Sequence, residues 1–288
     1  VEVAPYKKDP ADFVLWKPSD PAKGEPGWDS AWGFGRPGWH IECSAMSRAH
    51  LGEIFDIHGG GLDLIFPHHE NEIAQSRCAH DAPTMANYWM HNGYLMAEGE
   101  KMSKSLGNFY TVNELLQVFP GEAIRLLLLK THYRQPLDFT KDGLVEAKRE
   151  LDGFYQALRQ AGDAPIEGDV PPAFIDALSD DLNTPKAISL MHEALSHANK
   201  GDKAAQGTLR ACGALVGLLQ QPPESWFRWQ PTGAVEGLSD DDIDARIIAR
   251  TEARKNKDFA TSDAIRDELQ AAGIVLEDGA GTTTWRRG

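Results

Sequence analysis

The chain has 288 residues, of which 41% are hydrophobic and 25% are charged, and its formal net charge at pH 7 is −14. This composition excludes collagen-like, coiled-coil and low-complexity proteins, and the acidic balance argues against non-specific coating of nucleic acid through a global positive field. No apolar run reaches the roughly 18–20 residues of a membrane helix, and the amino terminus lacks the features of a signal peptide. We therefore expect a cytoplasmic protein without a membrane segment, and the length predicts about two or three domains.

The first half of the chain alternates strands, glycine turns and helices. Short strands are predicted at 13–16, 54–57 and 94–96, the second of which stops at the glycine turn 58–61. Helices are predicted at 41–51, from Pro67 through 78, at 112–119 and at 122–130. Loops are predicted at 18–37 and 97–108. The alternation indicates an α/β fold with an open sheet, whose ligands bind at the carboxyl ends of the strands.

The second half is predicted to be mainly helical. From about 141 to 219, apolar residues recur with a period of 3.6, as in the two stripes Leu144, Ala147, Leu151, Phe154, Leu158 and Ala187, Leu190, Met191, Ala194, Leu195. This period predicts a helical bundle. The Pro/Gln stretch 220–231 is typical of a linker, and 239–288 is predicted to be a small α/β unit with a strand at 273–276.

A basic loop carries the strongest local signal for phosphate chemistry. Lys101 and Lys104 lie in the sequence Lys-Met-Ser-Lys-Ser, between Gly99 and Gly107. Such a loop can close over a triphosphate and place ammonium groups where charge builds up during displacement at phosphorus. The alternative is a solvated surface loop.

A thiol, an imidazole and a carboxylate form a candidate metal site. Glu72 follows His68 by four positions, so both project from one helix face, and with Cys43 they make a set typical of zinc. The three cysteines, Cys43, Cys78 and Cys212, contain no CxxC spacing, which argues against a disulfide framework. A buried thiol is the alternative for Cys43, and the neighbouring His58, His69 and Glu70 leave the ligand assignment ambiguous.

Glycines and one tryptophan indicate a nucleotide and substrate pocket. Gly60 and Gly61 at a strand end let the backbone approach a nucleotide, and Asp63 can accept from ribose hydroxyls. Trp39 can form an aromatic wall for a small substrate. The alternatives are an ordinary turn and a local core residue.

Arginines recur along a predicted helix near the carboxyl terminus. Arg246, Arg250 and Arg254 are spaced four apart, so they share a face that can grip phosphate or a base edge. The alternative is a solvated face paired with acidic residues such as those at 240–242.

Four motifs resemble the cysteinyl-tRNA synthetase family, which belongs to the class I aminoacyl-tRNA synthetases. They are GWHIECSAM at 38–46, HGGGLDL at 58–64, FPHHENE at 66–72 and KMSKSLGN at 101–108. The resemblance covers essentially the whole chain. It implies the second half of a Rossmann-like nucleotide-binding fold with the zinc and KMSKS motifs at 1–110. A stem-contact region and helical bundle at 111–219, a linker at 220–238 and an anticodon-binding unit at 239–288 would follow.

The resemblance implies ATP-dependent activation of L-cysteine to cysteinyl adenylate and its transfer to tRNA(Cys). One Zn²⁺ per chain would select the substrate thiolate, since a shape-only pocket separates cysteine from serine poorly. Cys43, His68 and Glu72 match three family zinc ligands, and Trp39 would lie near the substrate. Gly60, Gly61 and Asp63 would line ATP, and Lys101 and Lys104 would stabilise its phosphates, with Mg²⁺.

The resemblance also implies an anticodon site. Arg254, Asp263 and Asp278 match positions that read anticodon bases, and Trp285 is a nearby aromatic. Surface charges and a core indole are the alternatives for these four residues.

The chain departs from the family pattern at its amino-terminal side. The family's second zinc cysteine and its HIGH motif belong to an amino-terminal half-fold that this sequence lacks. We therefore expect the chain to be a fragment whose missing partner is that amino-terminal half, and we expect a monomer. Alone, the chain should bind zinc weakly and catalyse no adenylation. Two alternatives are a cysteine ligase acting on an amino sugar and a non-catalytic tRNA-binding fragment.

Overall fold

The computed structural model describes residues 7–102, 107–160, 168–232, 237–279 and 282–287. The chain divides into two compact units, one formed by Val1–Tyr94 with Tyr133–Pro136 and the other by Leu95–His132 with Leu137–Gly288. Within the described ranges, no helix combines the length and apolar character needed to cross a bilayer.

The first unit places two helices beside short strands. Strand β1, Trp16–Pro18, pairs antiparallel with β2, Gly35–Pro37. Helix α1, Trp39–Leu51, precedes β3, Phe55–Gly61, and helix α2, Glu70–His80, precedes β4, Ala86–Asn92. Strands β3 and β4 are parallel. The unit is therefore built around a strand–helix–strand crossover.

The glycine motif is part of a strand, which the sequence analysis placed in a turn. Gly59, Gly60 and Gly61 pair with the last three residues of β4, so β3 continues to Gly61 instead of stopping at His58. Pairing satisfies the backbone groups that a turn would leave to water. β4 itself was not predicted, and β1 begins at Trp16, later than the predicted 13–16 strand.

The segment before α2 is more irregular than predicted. A 3₁₀ turn, Leu62–Leu64, and a π-helical turn, Ile65–His69, lead into α2, which begins at Glu70. The predicted helix therefore exists, but His68 and His69 lie in the turn that precedes its α-helical part.

The second unit begins with a small mixed sheet. Strand β5, Leu95–Ala97, pairs antiparallel with β6, Glu100–Lys101. Helices α3, Val112–Val118, and α4, Gly121–Leu129, follow, and strand β7, Leu137–Phe139, pairs parallel with β5. This pairing joins the segment that starts at 95 to the second unit, so the compact units divide earlier in the chain than the motif-based boundary at 110.

A helical bundle forms the main core of the second unit. Its helices are α5, Lys141–Gln160, α6, Pro172–Ser179, α7, Thr184–Ala198, and α8, Lys203–Leu215. Every residue of the stripe predicted on α5 is buried in this core. On α7, Ala187 and Met191 are buried in it, and the other three residues of the stripe are partly buried and pack against it. The 3.6-residue period is thus confirmed in both helices.

The predicted linker contains a packed helix. Helix α9, Pro223–Phe227, buries Trp226 and Phe227 in the bundle core. The Trp226 indole stacks on Tyr155 with centroids 4.6 Å apart and donates to Asp152 Oδ1 at 2.7 Å. The linker interpretation is therefore wrong for this part of 220–231, because two aromatic side chains anchor it.

The last part of the second unit is a small α/β unit, as predicted. Helices α10, Asp240–Lys255, and α11, Phe259–Ala271, pack beside the antiparallel strands β8, Ile274–Asp278, and β9, Thr283–Arg287. Its core consists of Ile243, Ile247, Leu269, Ile274 and Trp285. A capping box of Ser239 and Asp242 begins α10.

Candidate functional sites

The structure brings Cys43, His68 and Glu72 together. Cys43 lies on α1, His68 in the turn before α2, and Glu72 in the first turn of α2. One potential ligand atom from each lies within 4.8 Å of the other two. A hydrogen bond from Ser44 Oγ to Gln75 Oε1, at 2.6 Å, ties the two helices beside the cluster. The convergence that the zinc hypothesis requires is thus present.

The Glu72 carboxylate has one oxygen that lacks a hydrogen-bond partner. Glu72 is fully buried, and its Oε2 atom lies 2.7 Å from His58 Nε2. Its Oε1 atom lies 2.5 Å from His68 Nε2, yet the contact is not aligned as a hydrogen bond and Oε1 has no partner. An unsatisfied buried carboxylate oxygen is costly. A cation held by this oxygen, the imidazole and the Cys43 sulfur would satisfy it, and this donor set fits Zn²⁺.

The charges in the cluster favour a bound cation. Burial alone would raise the pKa of Glu72, but the hydrogen bond with His58 and the nearby imidazoles outweigh it and hold that pKa below its usual value. Burial and the adjacent Glu72 raise the pKa of the Cys43 thiol. Glu72 is therefore ionised, whereas the thiol needs a cation to become a thiolate ligand.

His40 orients His68, a role that the sequence analysis did not identify. The Nδ1 atoms of the two rings lie 2.6 Å apart, and burial and the nearby His68 lower the pKa of His40. Neutral His40 can accept a hydrogen bond from His68 Nδ1–H, and in that tautomer the Nε2 lone pair of His68 faces Cys43 and Glu72. Metal-binding histidines are commonly fixed in this way.

A second group of residues could compete for a cation. His58, His69 and Glu72 also offer ligand atoms within 4.8 Å of one another, so the ambiguity expected from the sequence remains. The Nδ1 atom of His69 lies 2.8 Å from the Nε2 atom of His91. Burial and the nearby His58 lower the pKa of His69 to about 4. The carboxylate oxygen on this side already faces His58, whereas the open oxygen faces His68. We therefore favour the Cys43 group.

Trp39 and Gly60 lie beside the cluster. Trp39 is 61% exposed, and the centroid of its ring lies 4.4 Å from that of His68. Gly60 packs against His69, where a Cβ atom would come within 2.9 Å of the ring. Asp63 is exposed in the turn after β3, with Gly61 packed against its carboxylate. Trp39 and Gly60, for which the sequence predicts contacts with substrate and nucleotide, therefore border the candidate metal site.

The phosphate-binding roles of Lys101 and Lys104 in the KMSKS motif stay predictions. Lys101 ends β6, and Lys104 lies outside the described residues.

The candidate anticodon residues Arg254 and Asp278 are in contact. Arg254 Nη1 lies 3.5 Å from Asp278 Oδ2, and Asp278 also binds Arg250 Nη1 and Nη2, both at 2.8 Å. Asp263 is exposed on α11 and interacts electrostatically with Arg250. Arg246 pairs with Glu268, which favours the solvated-surface alternative for that arginine.

Trp285 is a core residue of the small α/β unit. It is 3% exposed, and its indole donates to Asp244 Oδ1 at 2.7 Å. The guanidinium groups of Arg228 and Arg287 lie 4.9 and 5.3 Å from its ring. A base cannot stack on a ring so enclosed, so this placement favours the core-indole alternative.

Comparison with known proteins identifies the family. Residues 1–149 match the model for the tRNA synthetases class I (C) catalytic domain, 173–220 match the DALR domain, and 239–286 match the cysteinyl-tRNA ligase anticodon binding domain. The chain belongs to the cysteinyl-tRNA synthetase family. The family assignment and the class I α/β fold predicted from the four motifs are confirmed.

Curated relatives in this family are longer than the chain. It is 62% identical to the Cysteine--tRNA ligase of Paramagnetospirillum magneticum and 62% identical to that of Rhodospirillum centenum. In both cases the match covers 100% of this chain and 63% of the relative. A solved ternary complex, Agrobacterium radiobacter K84 LeuRS-tRNA-LeuAMS, aligns with a TM-score of 0.49 and 17% identity over 73% of this chain and 34% of that one.

Proposed function

We propose that this chain forms part of an enzyme that activates L-cysteine with ATP and transfers the cysteinyl group to tRNA(Cys). The observation that carries the proposal is the convergence of Cys43, His68 and the open Glu72 oxygen, in a chain of this family. The activity belongs to a protein that also contains the portion of the curated relatives that this chain does not span. That portion would supply a further zinc cysteine and the rest of the ATP pocket.

Cys43, His68 and Glu72 would hold one Zn²⁺. When bound, the ion supplies a soft centre that takes the substrate thiolate in preference to a hydroxyl of similar size. His40 holds His68 in the required tautomer, and His58 binds the second Glu72 oxygen, so both ligands are oriented before substrate arrives. Trp39 would exclude water from one side of the bound amino acid.

The glycine strand end and the basic loop would bind ATP. Gly60 and Gly61 let the backbone approach adenosine, and Asp63 would accept from the ribose hydroxyls. The cysteine carboxylate attacks the α-phosphorus, forming a new O–P bond while the bond to pyrophosphate breaks. Lys101 and Lys104, with Mg²⁺, would neutralise the charge that develops on the leaving phosphates.

Residues of the small α/β unit would read the anticodon. Arg254, Asp263 and Asp278 offer a guanidinium and two carboxylates for base edges, and buried Trp285 would support the strand pair that carries Asp278. The match of 239–286 to an anticodon binding domain favours tRNA over an amino-sugar acceptor. We expect the enzyme to act as a cytoplasmic monomer.

Charging assays with a protein that joins this chain to the remaining portion of a curated relative test the proposal. We expect cysteine-dependent ATP–pyrophosphate exchange, acylation of tRNA(Cys), rejection of serine, and one zinc ion by native mass spectrometry. Exchange without tRNA acylation but with an amino-sugar acceptor would support the first alternative. Binding of tRNA(Cys) without exchange would support the non-catalytic one.

A further inference from the structure

Arg250 holds the Asp278 carboxylate with both terminal nitrogens. Each Arg250 Nη atom donates to a different Asp278 oxygen at 2.8 Å, the fork geometry that fixes a carboxylate in orientation as well as in charge. Arg250 is 5% exposed on α10, whereas Asp278 lies partly exposed at the end of β8. We propose that Arg250 is a positioning residue that aims Asp278 at an anticodon base with an exocyclic amino group; this inference rests on the proposed function.

One acceptor position of Asp278 is available to a base amino group. Oδ1 accepts from Arg250 and from Thr283 Oγ1 at 2.8 Å, and Oδ2 accepts from Arg250. A carboxylate has about four lone-pair positions, and the fourth holds only the 3.5 Å contact with Arg254. Because Arg254 is exposed and this contact is long, a base amino group can take its place. Arg254 is then free to donate to an acceptor of the same base.

The charge of Asp278 decides which bases it accepts. The hydrogen bonds from Arg250 and Thr283 hold the pKa of Asp278 far below its usual value, so the group is an acceptor only. Adenine, cytosine and guanine each carry an exocyclic amino donor, whereas uracil presents a carbonyl oxygen in that place. Uracil would therefore bring a carbonyl oxygen, not a donor, to the fourth acceptor position of the carboxylate, where the two oxygens repel each other.

The Arg250 guanidinium is buried with one of its nitrogens unsatisfied. Its Nε atom is buried without a hydrogen-bond partner among the described residues. Buried ion pairs are weak sources of stability, since well-packed apolar residues often replace them without loss. A buried guanidinium aimed at a partly exposed carboxylate therefore fits a recognition role better than a purely structural one.

Binding of the full chain to tRNA(Cys) transcripts tests the inference. Transcripts carry the natural anticodon or each single-base substitution, and proteins carry R250Q, R250K or D278N. R246Q is the matched control, because Arg246 lies one turn earlier on α10 and pairs with Glu268. Circular dichroism melting verifies that each variant folds.

We expect the unmodified chain to bind about 10- to 100-fold more weakly when uracil replaces the base at one anticodon position. The quantity to compare is the ratio of the Kd for the uracil-substituted transcript to the Kd for the natural transcript. R250Q and D278N should reduce this ratio about ten-fold at that position alone, and R250K should reduce it by less. R246Q should leave it unchanged. If R250Q does not fold, R250K decides by the same ratio.

Two results overturn the inference and leave the proposed function standing. In the first, R250Q, or R250K if R250Q does not fold, keeps the same ratio as the unmodified chain. In the second, that variant weakens binding to every transcript by the same factor, as a structural role predicts. If the unmodified chain binds all anticodon variants equally, the tRNA part of the proposed function fails, and this inference fails with it.

Discussion

The two oxygens of the buried Glu72 carboxylate have different surroundings. His58 faces one oxygen, and the other faces His68 without an aligned donor. The i, i+4 spacing of His68 and Glu72 was enough to predict that these two side chains lie close together, although His68 lies in the turn before α2. The contacts of His40 and His58 were beyond prediction, because the first joins α1 to the turn before α2 and the second joins β3 to α2. Such contacts across the fold leave no periodic signal.

Replacing Glu72 by Gln should remove zinc binding while keeping the side-chain volume. The amide has no negative charge, so we expect the affinity for Zn²⁺ to fall by more than about 100-fold, beyond the usual effect of losing a residue that orients a ligand. Competition with a chromophoric chelator measures this. Glu70→Gln is the control, since Glu70 is exposed in the same helical turn, and equal affinities for the two variants would contradict the assignment.

His40→Ala should weaken zinc binding through His68. Without its partner at Nδ1, His68 loses its fixed tautomer and ring orientation, and we expect a loss of about 10- to 100-fold in affinity. The same chelator titration applies. His50→Ala, an exposed change on the same helix, should have no effect; a His40 variant that behaves like it would rule out the orienting role.

Asp278 should make the small α/β unit sensitive to acid. Its pKa is lowered in the folded chain by Arg250 and Thr283, below about 3.9 in the unfolded chain. The unfolded state therefore binds more protons near pH 4, and the stabilisation is present above that pH and lost as the pH falls through and below it. We expect the difference in melting temperature between the unmodified chain and D278N to become smaller as the pH falls from 7 to 3. A constant difference would contradict this.

At the scale of elements, local periodicity predicted some helices and missed others. The long stripes of α5 and α7 repeat over several turns, so they were visible in the sequence. Helix α9 has only five residues and begins at a proline, so it resembles a linker. Strand β4 and the glycine end of β3 depend on pairing with each other. Such non-local pairing carries no signal in either segment alone.

Trp226→Ala distinguishes a packed α9 from a linker. Removing a buried indole that stacks on Tyr155 should lower the free energy of unfolding by about 3–5 kcal/mol. Urea unfolding followed by circular dichroism measures the change, and exposed Ser225→Ala in the same helix should shift it by less than about 0.5 kcal/mol. A linker would give small shifts in both variants.

At the scale of the whole molecule, the motifs predicted the family and the order of its domains better than they predicted the positions of the domain boundaries. The four motif blocks and the terminal unit agree with the family matches along the chain. The compact units, however, divide at Tyr94 and Leu95, because β5 pairs with β7 more than 40 positions later. A boundary set by such a pairing cannot be located from the motifs on one side of it.

The net charge of −14 should restrict RNA binding to specific contacts. A protein without a broad positive field gains little from counterion release. In filter binding at about 0.15 M salt we expect polyuridylate to bind with a Kd weaker than about 100 µM, while tRNA(Cys) binds more tightly. Equal binding of the two RNAs would show that sequence-independent charge dominates.

The contact between Arg228 and the Trp285 ring limits how the small α/β unit could be transplanted. Arg228 directly follows α9, whereas Trp285 lies on the last strand. A chimaera joined at 237 would leave the indole against a foreign neighbour, whereas a junction at about 221 would carry both partners to the new host. The part that can be exchanged intact is therefore larger than the stretch that matches the anticodon binding domain.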